Sequence, residues 1–200
     1  MPEYDSLKNK IIEREEIVNV YRKLSMKDSI PDGKQYWTLC NKQSKKKTSE
    51  INQLVSVGLI NKVQFYGVDR DPLIIKSNQK NHNDANWFNG EWDSIIPEKL
   101  YIFNPEIIFF DSTNLAITNA LIKTVKNTMF YSPKEVYFFI NVMLNNPHHS
   151  NKVISDEEFV KRLISSFTKK EWGKWNIYNE HLLYSSTRKT LMSTYLVYRK

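Results

Sequence analysis

Cysteine is almost absent from this chain of 200 residues, and glycine is scarce. The one cysteine, Cys40, excludes an internal disulfide and any metal site built from several cysteines. None of the five glycines lies in the segment 41–48, and the chain has neither a GxGxxG nor a Walker motif. The paired histidines His148 and His149 are too isolated to predict a metal site, so we expect no metal.

Long apolar runs are also missing. No stretch approaches the roughly 20 apolar residues that a membrane span needs. The first residues, MPEYDSLKNK, contain no apolar core of a secretory signal. We therefore expect no membrane association and a cytoplasmic, intracellular location.

Positive charge is in excess, with a formal net charge of +7. Such a balance favours an anionic partner such as DNA or RNA. The excess of positive charge has an alternative explanation, a general abundance of lysine and asparagine. The wide spread of the lysines along the chain favours this explanation.

Strands and helices alternate along most of the sequence. A helix is predicted over 5–26 from apolar residues at helical spacing, with Glu13 and Arg14 on the surface, and Pro31-Asp32-Gly33 forms a turn after it. We predict two parts, a helix and turn over 1–33 and an α/β domain over 34–200. Strands are predicted at 36–40, 63–68, 86–88, 106–110, 135–142, 177–184 and 191–198. Helices are predicted at 49–57, 72–81, 115–129 and 155–168, and none over 93–104 because of its proline.

This order predicts a Rossmann-like three-layer α/β sandwich. Its seven-stranded sheet is mostly parallel and ends in an antiparallel β-hairpin, because only six residues join the last two strands. In such sheets ligands bind outside the carboxyl ends of the strands. Cys40 and Asn41 lie at the end of the first strand, and Asp69 and Arg70 lie at the end of the second. We predict that these four residues face a ligand.

Over residues 34–200 this element order resembles the class I S-adenosylmethionine-dependent methyltransferases. The resemblance implies that Asp69 binds the ribose hydroxyls of the cofactor. It also implies that the segment Asn89-Gly90-Glu91-Trp92 lies beside the adenine, which makes Gly90, Glu91 and Trp92 cofactor-binding residues. The segment Asp111-Ser112-Thr113-Asn114 follows the fourth strand, where the family has its catalytic motif next to the methyl group.

Two of these residues are candidates for catalysis. Asp111 could orient a substrate amine or hydroxyl or act as a base, and its alternative role is to cap the next helix. Asn114 could hydrogen-bond an acceptor base. Methyl transfer needs mainly the alignment of the nucleophile with the methyl group, so neither a metal nor a covalent nucleophile is required.

The first loop departs from the family, which has a glycine-rich GxGxG loop there. This chain has Asn41 to Thr48 instead, with the consecutive lysines Lys45, Lys46 and Lys47. These lysines could contact a nucleic-acid backbone, with Trp87 and Trp92 stacking on a base. Two hypotheses follow: a methyltransferase that uses S-adenosylmethionine and acts on nucleic acid, or a catalytically inactive Rossmann-like module that binds nucleic acid or a protein.

Overall fold

Eight strands and seven α-helices make up the part of the chain that the structure describes. The structure is a computed structural model and describes residues 8–100, 102–116, 119–144, 156–178, 182–185 and 191–199. The helices are α1 (Lys8–Ser25), α2 (Glu50–Ser56), α3 (Pro72–Asn81), α4 (Trp92–Lys99), α5 (Asn119–Tyr131), α6 (Asp156–Ser165) and α7 (Lys169–Trp172). The strands are β1 (Gln35–Leu39), β2 (Phe65–Asp69), β3 (Asn86–Asn89), β4 (Pro105–Ala116), β5 (Val136–Met143), β6 (Asn176–Ile177), β7 (Leu182–Ser185) and β8 (Leu191–Arg199).

All eight strands form one sheet with the order β3-β2-β1-β4-β5-β8-β6, and β7 also pairs with β8. The pairs among β1 to β5 are parallel, whereas β8 runs antiparallel to β5, β6 and β7. This confirms the predicted Rossmann-like, mostly parallel sheet with an antiparallel end.

The strand predicted over 177–184 is divided into β6 and β7. Ile177 of β6 pairs with Val197, and Leu182 of β7 pairs with Thr194.

Both faces of the central strands are buried, which explains the continuous apolar sequence of β4. Ile107 and Phe109 pack in a cluster with α1 and α2, while Ile108 and Phe110 pack in a second cluster with α4, α5 and α6. Successive side chains of a strand point to opposite faces, so a strand between two helical layers needs apolar residues at every position.

Helix α1 lies along β4. At one end of α1, Lys10 contacts Asp111, and further along Tyr21 donates a hydrogen bond to Glu106. The segment from Lys10 to Tyr21 is about 16 Å long at the helical rise, and β4 from Glu106 to Asp111 spans about 17 Å. The division of the chain into a helix and turn over 1–33 and an α/β domain over 34–200 stays a prediction.

The sequence placed two charged residues of α1 wrongly on the surface. Glu13 and Arg14 are buried, together with Lys10. Glu13 pairs with Lys10, and Arg14 lies 4.0 Å from Glu50. Their burial is tolerated because each charge has a partner of opposite sign.

Two elements differ from the sequence prediction. Helix α4 forms although Pro97 lies inside it, because Ile95 and Ile96 bury their side chains in the core and outweigh one missing backbone hydrogen bond. Strand β4 continues to Ala116, and α5 begins at Asn119 rather than at residue 115. The capping serine predicted at 155 lies outside the described residues.

Candidate functional site

An open cleft of about 310 Å³ lies at the carboxyl ends of the parallel strands. All seven predicted cofactor-binding residues and Asp111 line it, so folding brings together positions at the ends of β1, β2 and β3 and one position inside β4. The lining residues are Leu39, Cys40, Asn41, Val68, Asp69, Arg70, Gly90, Glu91, Trp92, Asp93, Phe110, Asp111 and Thr124.

Asp69 is half-buried at the end of β2. Its Oδ1 atom accepts a hydrogen bond of 2.8 Å from the backbone N–H of Asp71, and no described residue donates to Oδ2. Asp71 in turn caps α3, since its Oδ1 accepts from the N–H of Leu73 at 2.8 Å. Burial raises the pKa of the Asp69 carboxyl above its usual value. One oxygen thus fixes the turn, and the other remains able to accept a hydrogen bond from a ligand.

The segment after β3 closes the adjacent side of the cleft. Gly90 has a positive φ of 152°, and its N–H donates to the Asp69 carbonyl oxygen at 3.0 Å. A Cβ atom at Gly90 would lie 3.1 Å from Ile95 Cδ1, so this turn favours glycine. Glu91 and Arg70 form a loose ion pair at 3.8 Å, with side chains that are 67% and 79% exposed. These exposed groups at the rim can move toward a ligand.

Trp92 is a core residue with one edge at the cleft. Its Nε1 donates to Thr128 Oγ1 at 2.9 Å, and its ring packs edge-on against Phe110. Only 5% of Trp92 is exposed, so its ring face is not open to an adenine. Trp87, the other tryptophan considered for stacking, packs against Phe65 and does not line this cleft.

Side chains of α3 hold the glycine-free loop after β1. The Asn78 amide accepts from the N–H of Gln43 at 2.7 Å and donates to the carbonyl oxygen of Asn41 at 3.1 Å. Asn81 Nδ2 donates to the Gln43 carbonyl oxygen, and His82 Nε2 lies 2.9 Å from that of Ser44. These hydrogen bonds satisfy backbone groups that would otherwise be buried without partners. Sequence reasoning missed this clamp, whose only signal was a row of polar residues on one side of α3.

The same clamp reaches Cys40. Its thiol is buried, and Asn78 Nδ2 lies 3.7 Å from the sulfur. A Cβ atom on Gly67 would meet Cys40 Sγ at 2.9 Å, so β1 and β2 pack closely at the floor of the cleft. Cys40 therefore contributes a small apolar surface to the cleft.

Asp111 lies at the inner end of the cleft, where both of its oxygens are engaged. Lys10 Nζ is 2.6 Å from Oδ2, and Asn141 Nδ2 donates to Oδ1 at 2.7 Å. Its alternative role as a helix cap is wrong, because β4 continues for five residues beyond it. Asn114 also lies inside β4, and its side chain is not among those described.

Acidic groups dominate this cleft. Its lining contains the four carboxylates of Asp69, Glu91, Asp93 and Asp111 but one guanidinium, that of Arg70. Asp93 is held by Thr124, whose hydroxyl donates to Oδ2 at 2.7 Å. Neither Asp93 nor Thr124 was singled out from the sequence. Asp93 lies in α4, which was not predicted, and Thr124 lies inside α5, where a polar residue gave no signal of a site. Such a lining favours a ligand that carries positive charge.

No protein-family model and no curated protein matches the sequence. Solved structures do match it. The plantazolicin methyltransferase BamL, in complex with a triazolic desmethylPZN analog and SAH, aligns with a TM-score of 0.66 and 13% identity, over 98% of this chain and 88% of that chain. A putative O-methyltransferase from Klebsiella pneumoniae aligns with a TM-score of 0.61 and 13% identity, over 100% of this chain and 84% of that chain. A TehB-like SAM-dependent methyltransferase from Corynebacterium glutamicum aligns with a TM-score of 0.54 and 12% identity, over 94% of this chain and 99% of that chain.

The chain has the fold of the class I S-adenosylmethionine-dependent methyltransferases. At this level of identity the likeness concerns the fold, and fold does not fix activity. In this methyltransferase-like fold the cleft occupies the carboxyl edge of the sheet, where ligands of open α/β folds bind.

The lysine cluster of the methyltransferase-like domain lies outside the cleft. Lys45, Lys46 and Lys47 are exposed on the turn before α2 and do not line the cleft. No group of histidine, cysteine or acidic residues that could hold a metal occurs among the described residues. Within the same residues, no helix is long and apolar enough to cross a membrane.

Proposed function

We propose that this chain binds S-adenosylmethionine in the cleft and transfers its methyl group to an acceptor. The observation that carries the proposal is the acidic lining of a cleft at the carboxyl edge of a methyltransferase-like fold. S-adenosylmethionine carries a sulfonium, an ammonium and a carboxylate group and therefore one net positive charge, which four carboxylates attract more strongly than one guanidinium repels. A volume of about 310 Å³ falls at the lower end of the range for small-ligand sites.

The residues take the roles that the resemblance implies. Asp69 Oδ2 accepts hydrogen bonds from the ribose hydroxyls, and Gly90 and Glu91 lie along the adenine. Trp92 supports this wall from the core through its bond to Thr128 rather than by stacking.

Asp111 faces the sulfur end of the cofactor. The methyl group leaves the sulfonium as a new bond to the acceptor forms, the sulfur keeps the electron pair of the broken bond, and the acceptor loses a proton to solvent. With both oxygens already engaged, Asp111 serves as an oriented negative charge rather than as the base.

Nucleic acid is the acceptor that we propose. The support is the exposed trio Lys45, Lys46 and Lys47, which lies in the loop that begins at the cleft with Asn41. A phosphate backbone would contact these lysines outside the acidic cleft, and only a base would enter. Transfer of labelled methyl groups to DNA or RNA should fall with rising salt and when the three lysines are replaced by glutamine. Salt-independent transfer, or transfer to small molecules alone, would reject this acceptor.

The inactive-module alternative has its own supporting observation. The loop that replaces the family's glycine-rich segment is tied to α3 by Asn78, and Asp111 is engaged by Lys10. A module of this kind would bind nucleic acid or a protein without cofactor. An intracellular location stays a prediction in both cases.

Calorimetric titration with S-adenosylmethionine separates the two functions. We expect saturable binding with one site per chain and a matching rise in the midpoint of thermal unfolding. No heat and no thermal shift at millimolar ligand would reject cofactor binding and favour the inactive module.

A further inference from the structure

A buried polar row crosses the sheet beneath the first turns of α1. Asp111, Asn141 and Thr194 are register neighbours on β4, β5 and β8. Two residues of α1 complete the row. Lys10 bonds both Asp111 and Glu13, and Glu13 Oε1 accepts from Thr194 Oγ1 at 2.6 Å.

The charges in this row are unequal. Lys10 Nζ lies 2.6 Å from Asp111 and 3.0 Å from Glu13, so one ammonium serves two carboxylates. The side chains of Lys10, Glu13 and Asp111 are 2%, 0% and 6% exposed, which limits the screening of their charges by water. The formal charges of these three side chains sum to one negative charge.

Lys10 lies outside the lining of the cleft but contacts Asp111, which is part of that lining. The ammonium group therefore reduces the negative potential that Asp111 presents to a ligand, while Glu13 competes for the same ammonium. A change in either residue of α1 alters that potential without touching the ligand.

We propose that Lys10 is a positioning residue that sets how strongly the site prefers the sulfonium cofactor over its thioether product. This inference rests on the proposed function. S-adenosylmethionine and S-adenosylhomocysteine share their adenosine and amino-acid parts and differ in the methyl group and the charge at sulfur. The ratio of their affinities therefore reports the electrostatic potential at the sulfur. A structural change that weakens the binding of both ligands equally leaves this ratio unchanged.

Titration of both ligands into three variants of the full chain tests the idea. In Lys10→Met the Asp111 carboxylate loses its ammonium partner, and the preference for S-adenosylmethionine should rise about tenfold, because the open cleft screens part of the interaction. In Glu13→Gln the ammonium no longer faces the carboxylate of Glu13 and neutralises Asp111 more fully, so the preference should fall severalfold. Glu16→Gln makes the same chemical change at an exposed position of α1 and should behave like the wild type.

Opposite shifts of the affinity ratio in the two buried variants would support the proposal. Equal weakening of both ligands in Lys10→Met, with an unchanged ratio in Glu13→Gln, would overturn it and leave Lys10 a structural residue. If Lys10→Met does not fold, the isosteric Glu13→Gln decides alone, because an unchanged ratio there is sufficient to reject the idea. A wild-type chain that binds neither ligand would reject the proposed function itself and this inference with it.

Discussion

Replacement of Asp69 by asparagine should weaken the binding of S-adenosylmethionine by about 10- to 100-fold. The change removes one charge and leaves the fold of the turn intact. Asparagine Oδ1 can still accept the hydrogen bond that Asp69 takes from the N–H of Asp71. Its Nδ2 replaces Oδ2, so the ribose hydroxyls would meet a donor in place of a carboxylate oxygen.

The size of the effect follows from that single atom. A hydrogen bond to a charged group contributes about 1.5–3 kcal/mol, and each 1.4 kcal/mol changes a dissociation constant about tenfold. Asp69 is half-buried, so its bond to a ligand is partly protected from water.

Asp71→Asn is the matched control. It makes the same chemical change two residues away, retains the cap on α3 and lies outside the cleft lining. Calorimetric titration of the wild type and both variants measures the effect. Equal affinities of Asp69→Asn and Asp71→Asn would refute the assignment of Asp69 to the ribose.

Thermal unfolding of the same variants separates binding from folding. Burial raises the pKa of Asp69, so its ionised form is less favourable in the folded chain than in the unfolded chain. The stability linked to its protonation is present at low pH and is lost as the pH rises through the raised pKa. Asp69→Asn should therefore unfold at a temperature no lower than the wild type at neutral pH, and a much lower temperature would attribute its weak binding to misfolding.

Three other outcomes are expected. The affinity of the wild type for S-adenosylmethionine should fall on acidification at a pH above the usual aspartate pKa, because protonation of Asp69 removes its charge, and titration of Asp69→Asn across the same pH range should not show this step. Asn78→Ala should lower the free energy of unfolding in urea by about 2–3 kcal/mol, because the hydrogen bonds to Asn41 and Gln43 are lost. An unchanged denaturation midpoint would mean that the loop does not need this clamp. Gly90→Ala should cost about 1–3 kcal/mol in the same assay through its positive φ, and should also weaken cofactor binding; wild-type values of both would contradict a strained turn.

Local patterns in the sequence determined most of the fold. The apolar run of β4 indicated a strand buried on both faces, and Asp71-Pro72 marked the start of α3. Ligand-facing positions were predictable for the same reason. Asp69 was predicted at the carboxyl end of β2 and Asp111 directly after the apolar run of β4, and both line one cleft although β4 continues to Ala116.

Only the tertiary structure decided which charges are buried. The sequence of α1 places Lys10, Glu13 and Arg14 among charged neighbours, a pattern typical of an exposed face. Their burial depends on partners far along the chain, since Asp111 follows Lys10 by 101 positions. Lysine and glutamate lose too much hydration to be buried alone, and only the packing of α1 against β4 supplies the opposite charges.

The loop after β1 illustrates the same division. Its lack of glycine was visible in the sequence, but its conformation is fixed by side chains of α3 and of His82 just after it, at separations of 35 to 38 positions. Hydrogen bonds between distant segments leave no periodic signal in a sequence, whereas hydrophobic patterns repeat with each turn or strand. The sequence by itself thus determined the layers of this protein, and the tertiary structure decided the hydrogen bonds and ion pairs that give the cleft its shape and charge.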